Sequence, residues 1–119
     1  MTPTSTCTAE HYVWGDNCDG WHLLKSDNLS VIQETMPPGT AEVAHYHRQS
    51  RQFFYVIEGM LSIALADNET LLREGEGVQV EPGVAHRVLN STEAPVHFLV
   101  ISSPPSHGDR VVATVTDTE

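Results

Sequence analysis

The chain has 119 residues, the size of a single compact domain. Six Lys and Arg against sixteen Asp and Glu leave a formal charge of −10, which argues against nucleic acid and anionic membrane as partners, since both need a basic footprint. The longest uninterrupted apolar run, Phe53 to Ile57, is far short of the ~20 residues of a membrane helix, and the opening MTPTSTCTAEHY lacks the basic start and apolar stretch of a signal peptide. Two cysteines, Cys7 and Cys18, make no disulfide framework, and free thiols are expected. These features predict a soluble, cytoplasmic, single-domain protein.

Residues 1–12 are rich in Thr and Ser and read as a loose arm or an exchanged strand. Trp14 and Trp21 bracket GDNCDG and are expected to fold the arm against the body of the domain or a partner subunit. From there to residue 103 no stretch keeps apolar residues at helical spacing for three turns. Short β-type runs recur instead: WHLL, LSVIQETM, VAHYH, QFFYVI, LSIALA, GVQVE, HRVLN and VHFLVIS. Pro37-Pro38-Gly39, Glu58-Gly59, Asp67-Asn68, Pro82-Gly83 and Asn90-Ser91 supply turns between them. Eight short strands at such spacing predict an all-β jelly roll or antiparallel barrel over 13–103. The tail, 104–119, opens with two prolines and is expected to leave the sheet or pair only along an edge. Open edge strands, together with an arm and a tail able to cover them, predict a homodimer.

His45-Tyr46-His47 is the first chemical signal. Residues i and i+2 of a strand share a face, so both imidazoles project together, and imidazole is the commonest metal ligand near neutral pH. Alone, the pattern is weak. Its surroundings sharpen it: Gly39, five residues, His45-x-His47, four residues, Gln52, six residues, Gly59. Downstream, Gly75, five residues, Glu81, one residue, Gly83, two residues, His86, three residues and Asn90 form a second block. The two blocks resemble the motifs of the cupin superfamily, G-x5-H-x-H-x3/4-E-x6-G and G-x5-P-x-G-x2-H-x3-N. The resemblance spans residues 39 to 90 and departs at two places: Glu81 replaces a proline, and Gln52 replaces the usual ligand glutamate.

The resemblance implies a single small cupin barrel with one divalent transition ion per chain, iron first, with Mn, Ni, Co and Zn compatible. It implies His45, His47 and His86 as metal ligands, with Gln52 either a fourth ligand through its amide oxygen or a group behind the ligands. An amide neutralises none of the ion's charge, so such a site keeps a formal charge of about +2, and positions remain open for a small-molecule substrate. It then reads as a metal-dependent enzyme of oxygenase type, acting on a small organic acid or enolisable carbonyl compound. A non-redox isomerase of similar substrates is the alternative, since cupins of antibiotic biosynthesis with the similar set His, His, Gln, His catalyse isomerisation. A non-catalytic module binding a sugar or small metabolite is the competing class.

Strand alternation extends the site. With Gln52 inward, Phe54 and Val56 are inward too, Val43 and Ala41 share the face of His45, and Val88 and Asn90 that of His86. Val43, Phe54, Val56 and Val88 are therefore the predicted pocket lining. Glu42, Arg87, Phe53 and Tyr55 fall on the outward parity, so no catalytic acid or base is identified. That absence favours oxygen chemistry, where bound substrate handles the protons. The parity of His97 is left open by the preceding loop, and His107-Gly108-Asp109-Arg110 reads as a polar tail turn.

Overall fold

Turn residues divide the chain where the sequence predicts, and the segments between them are strands. The structure is a computed structural model that describes residues 2–65 and 67–113. The strands run in chain order as β1 (Glu10–Trp14), β2 (Cys18–Lys25), β3 (Ser30–Met36), β4 (Thr40–Ala41), β5 (His45–Tyr46) and β6 (Arg51–Glu58). They continue as β7 (Leu61–Leu65), β8 (Asn68–Leu72), β9 (Gly77–Val80), β10 (His86–Asn90), β11 (Val96–Ser103) and β12 (Val111–Val112). Among the described residues no helix is long and apolar enough to cross a membrane.

Every pairing is antiparallel, and the strands form two sheets, ordered β1-β2-β3-β11-β6-β9 and β12-β5-β10-β7-β8, with β4 also pairing β10. This is the jelly-roll arrangement expected, two sheets face to face rather than a barrel closed by hydrogen bonds. Gly59 closes the β6–β7 turn at φ +92°, and a Cβ there would stand 2.7 Å from the Pro95 carbonyl oxygen, so only glycine fits.

Period-2 alternation sets the core. In β6 Gln52, Phe54 and Val56 are buried while Phe53, Tyr55 and Ile57 are exposed; in β11 Val96, Phe98, Val100 and Ser102 are buried. Met36, Leu61, Ile63 and Val88 from the neighbouring strands complete the apolar interior. Register carries the row upward: Gln52 lies opposite Ser102, Phe54 opposite Val100 and Val56 opposite Phe98. Polar residues thus occupy the upper end of the interior and apolar ones its floor. His97 takes the outer side of β11, between buried Val96 and Phe98.

Two expectations are corrected, and the tail meets one of its two alternatives, pairing along an edge. β1 begins at Glu10, inside the stretch read as a loose arm, and pairs along its whole length with β2, bringing Tyr12 opposite Gly20. The run VAHYH is not one strand. β4 ends at Ala41 and β5 starts at His45, so alternation is broken between them: Ala41 and Val43 are exposed, Val43 at 60%, while Thr40 and His45 are buried. Glu42 consequently turns inward and Val43 outward, the reverse of the predicted parity. The tail returns as β12 along the edge strand β5, and part of the segment before it also covers the upper opening.

Candidate metal centre and its cavity

His45 and His86 face each other directly across the β5–β10 pair, and His47 follows two residues after His45. The three side chains are buried, and each offers one ring nitrogen within 4.8 Å of the others. Their second nitrogens are tied to main-chain carbonyls: His45 Nδ1 to Val43 O at 2.9 Å, His86 Nδ1 to Val84 O at 2.9 Å, and His47 Nδ1 to Asp109 O. A carbonyl only accepts, so in each ring Nδ1 carries the proton and Nε2 holds a free lone pair. Nε2 of His47 and of His86 are buried without a hydrogen-bond partner. Burial pushes His45 down to about 3 and also lowers His86, which keeps both rings neutral.

Gln52 repeats this logic. Its amide nitrogen donates to Ser102 Oγ at 3.1 Å across the β6–β11 register, which leaves the amide oxygen, Oε1, buried and unpartnered. Buried acceptors without partners are rare and costly. Three grouped imidazole nitrogens, two of them buried without a partner, and an unpartnered amide oxygen fit the donor set of a divalent transition ion.

His45, His47 and Gln52 line a cavity of about 280 Å³, whose wall also includes Phe54, Ile32, Val100 and Trp14. His86, with no exposed surface, lies against Phe54 with ring centroids 5.9 Å apart. Of the predicted pocket residues, only Phe54 lines this space; Val56 and Val88 are packed in the core, and Val43 is on the outside.

The same cavity holds groups that alternation did not reveal. Glu34 and Glu42 both line it, with Tyr12 and Arg110. Tyr12 Oη donates to Glu34 Oε2 at 2.8 Å, and the Val88 main-chain N–H donates to Glu42 Oε1 at 3.0 Å. Burial pushes the Glu34 carboxyl up to about 7, against the Tyr12 bond and the Arg110 charge. Burial and the neighbouring Glu34 push Glu42 up to about 8. Glu34 was visible in one respect: in LSVIQETM it shares parity with Ile32 and Met36, an acid in an apolar row. Tyr12 was hidden in the supposed arm.

The tail segment carries His107, Gly108 and Arg110 to the mouth, so it is more than a polar turn. Asp109 anchors it. Its carboxylate accepts the main-chain N–H groups of Arg48 at 2.8 Å, Gln49 at 2.8 Å and Ser50 at 2.9 Å, and its carbonyl orients His47. The strap and the HxH segment are therefore one hydrogen-bonded unit.

Comparison with known proteins points the same way as this architecture. Residues 32–102 match the family model for the cupin domain. SCO3923, an uncharacterised protein of Streptomyces coelicolor, is 33% identical over 89 residues, which cover 73% of this chain and 83% of that protein. The tetracenomycin polyketide synthase protein TcmJ of Streptomyces glaucescens is 32% identical over 69 residues, 58% of this chain and 46% of TcmJ, so the match spans under half of that relative. The solved structure of the polyketide cyclase RemF from Streptomyces resistomycificus superposes with a TM-score of 0.79 at 15% identity, covering 98% of this chain and 88% of RemF, a likeness of fold.

Proposed function

This chain belongs to the cupin superfamily, and from that premise we propose that it is a metal-dependent enzyme transferring protons on a small enolisable carbonyl compound, an isomerase- or cyclase-type reaction without net redox change. The observation that carries the reading is a set of buried, unpartnered atoms on His47, His86 and Gln52, grouped with His45, at a cavity that two carboxyls also line. His45, His47 and His86 would hold the ion through Nε2, and Gln52 through Oε1. When bound, the ion supplies Lewis acidity to a substrate carbonyl or enolate oxygen.

The chain's own residues supply the rest. Phe54, Ile32, Val100 and Trp14 give the substrate an apolar enclosure that limits water. Arg110, at the mouth, offers charge to an anionic substituent, and the His107 ring lies beside it as a hydrogen-bonding group. Glu34 and Glu42 exchange protons near neutral pH, where a carboxyl tuned upward is most effective. The preference for oxygenase chemistry rested on the lack of an interior acid or base, and that ground no longer holds. The same two carboxyls weigh against a passive binding module, which needs none. The relative named as a polyketide synthase protein supports the substrate class, because polyketide chains are rich in enolisable β-dicarbonyl units. Unbonded Cys7 and Cys18 support a cytoplasmic setting.

Protein purified without chelators or metal-affinity columns should carry a divalent transition ion on elemental analysis. The His45→Ala, His47→Ala double variant should lose it, and full occupancy in that variant would end the assignment. A homodimer remains part of this reading, with edge strands β1 and β12 as the exposed pairing edges. Light scattering that returns a monomer at high concentration would remove that element.

A further inference from the structure

Glu34 interrupts an apolar row. The inward positions of β3 are Ser30, Ile32, Glu34 and Met36, and the registered neighbour of Glu34 on β11 is the wholly buried Phe98. A carboxylate among such neighbours is costly unless its lost hydration is offset. Among the described residues one hydrogen bond to the carboxyl is made, from Tyr12 to Oε2, and Oε1 is left free in a side chain that lines the cavity.

Tyr12 reaches Glu34 because the residue between them has no side chain. Tyr12, Gly20 and Glu34 stand opposite one another across β1, β2 and β3. A Cβ on residue 20 would lie 2.3 Å from Tyr12 Cζ and 2.6 Å from its Oη, so the phenol occupies the space that any other residue would fill. Packing alone would be served as well by an apolar pair at positions 12 and 34, which would avoid burying polar groups.

We propose that Tyr12 and Glu34 form a proton-transfer dyad for a substrate bound beside the three histidines, Glu34 touching the substrate and Tyr12, seated over Gly20, positioning it. The inference rests on the metal-dependent reading above. The Glu34 carboxylate takes a proton from the carbon next to the substrate carbonyl. That C–H bond breaks, its electron pair becomes a C=C bond, and the carbonyl π pair moves onto oxygen. The carboxyl then returns the proton to another carbon of the conjugated system, so its O–H bond breaks and a new C–H bond forms. Nothing is oxidised or reduced. The charged and titratable groups facing Glu34 are Tyr12 from β1, Cys18 from β2, Glu42 from the segment after β4, and Arg110 from the strap. With its carboxyl raised to about 7, Glu34 populates both protonation states near neutrality.

Deuterium incorporation into pyruvate, a small 2-oxo acid, tests this on metal-reconstituted protein in heavy water. Glu34→Gln should cut incorporation by ~100-fold or more while leaving pyruvate affinity within ~3-fold. Tyr12→Phe and Gly20→Ala should each cost ~3–10-fold and move the pH profile upward, because the phenol bond that favours the carboxylate is lost. Infrared spectra of the metal-free protein give a readout independent of turnover. Glu34 and Glu42 should each give a protonated-carboxyl component; the one that fades near pH 7 should be missing in Glu34→Gln, where the Glu42 component remains, and should fade at higher pH in the other two variants. Incorporation that survives in Glu34→Gln, or an infrared component unmoved by both Tyr12→Phe and Gly20→Ala, overturns the dyad and leaves the metal-dependent reading intact. Metal-bound wild-type protein that incorporates no deuterium overturns the proton-transfer reading together with it.

Discussion

The two kinds of group that share the cavity, imidazole and carboxyl, meet the same physical problem with opposite chemistry. On the imidazole side, burial disfavours the cation at His45 and His86, and Nδ1 of all three rings is tied to a carbonyl. On the carboxyl side, burial disfavours the anion and holds Glu34 and Glu42 near the point of protonation. Desolvation drives both toward neutrality. For a histidine the neutral form is the metal ligand; for a glutamate it is the proton donor. One apolar enclosure therefore prepares two different functions, and the residue types decide which.

The contrast has a consequence for stability. Glu34 binds a proton in the folded state up to about pH 7, whereas in the unfolded chain it releases that proton near 4.5. Folding is therefore most favoured below the unfolded value, and stability falls as pH rises toward about 7, then levels off. Glu34→Gln, whose amide oxygen still accepts from Tyr12, should remove this loss. Thermal melts at pH 5 and pH 8 should differ less in the variant, which should gain ~1–3 kcal/mol relative to wild type at the higher pH. Equal pH dependence in the two proteins would mean that the carboxyl side is not destabilised by charge.

Gln52 tests the imidazole side. Gln52→Glu puts a charge beside the lone pairs without changing side-chain length, and Ser102, now the acceptor, would turn to donate. Metal should be held tighter by ~1–2 kcal/mol, while any metal-bound water becomes less acidic and turnover falls. Competition with a chelator measures the first effect. Unchanged affinity would put Gln52 outside the coordination sphere and leave the three histidines standing.

The smallest effect is expected where the strap is tied to the HxH segment. Asp109→Ala removes three hydrogen bonds to residues 48–50 and loosens the carbonyl that orients His47. Metal affinity should fall by ~3–10-fold, less than the ~10–100-fold typical of losing an orienting group, because the orienting main-chain carbonyl itself remains. An Asp109→Ala variant with wild-type affinity would show that β12 alone holds the strap.

Alternation was a sound guide only while a strand stayed unbroken. Along β6 it sorted Gln52, Phe54 and Val56 from Phe53 and Tyr55, and along β10 it sorted His86 and Val88 from Arg87. Between Ala41 and His45 the chain leaves the strand, and a parity counted through that break put Val43 inside and Glu42 outside. A single irregular step exchanges the two faces, and nothing in VAHYH marks the step.

The sequence by itself determined the jelly roll, through its turn residues and period-2 runs, and the shared face of His45 and His47, through spacing local to one strand; His86 joined them only through the resemblance to the cupin motifs. The first two are short-range properties, readable wherever backbone geometry dictates direction. Only the tertiary structure decided what shares the cavity with the histidines. Tyr12 arrives through a β1–β2 pairing, Glu34 through an inner row two strands away, and Arg110 through a tail strand that returns to β5. These groups are far apart in the chain and meet because sheet order and register bring them together. Their raised carboxyls are the result of that enclosure, a property of surroundings that no single segment contains.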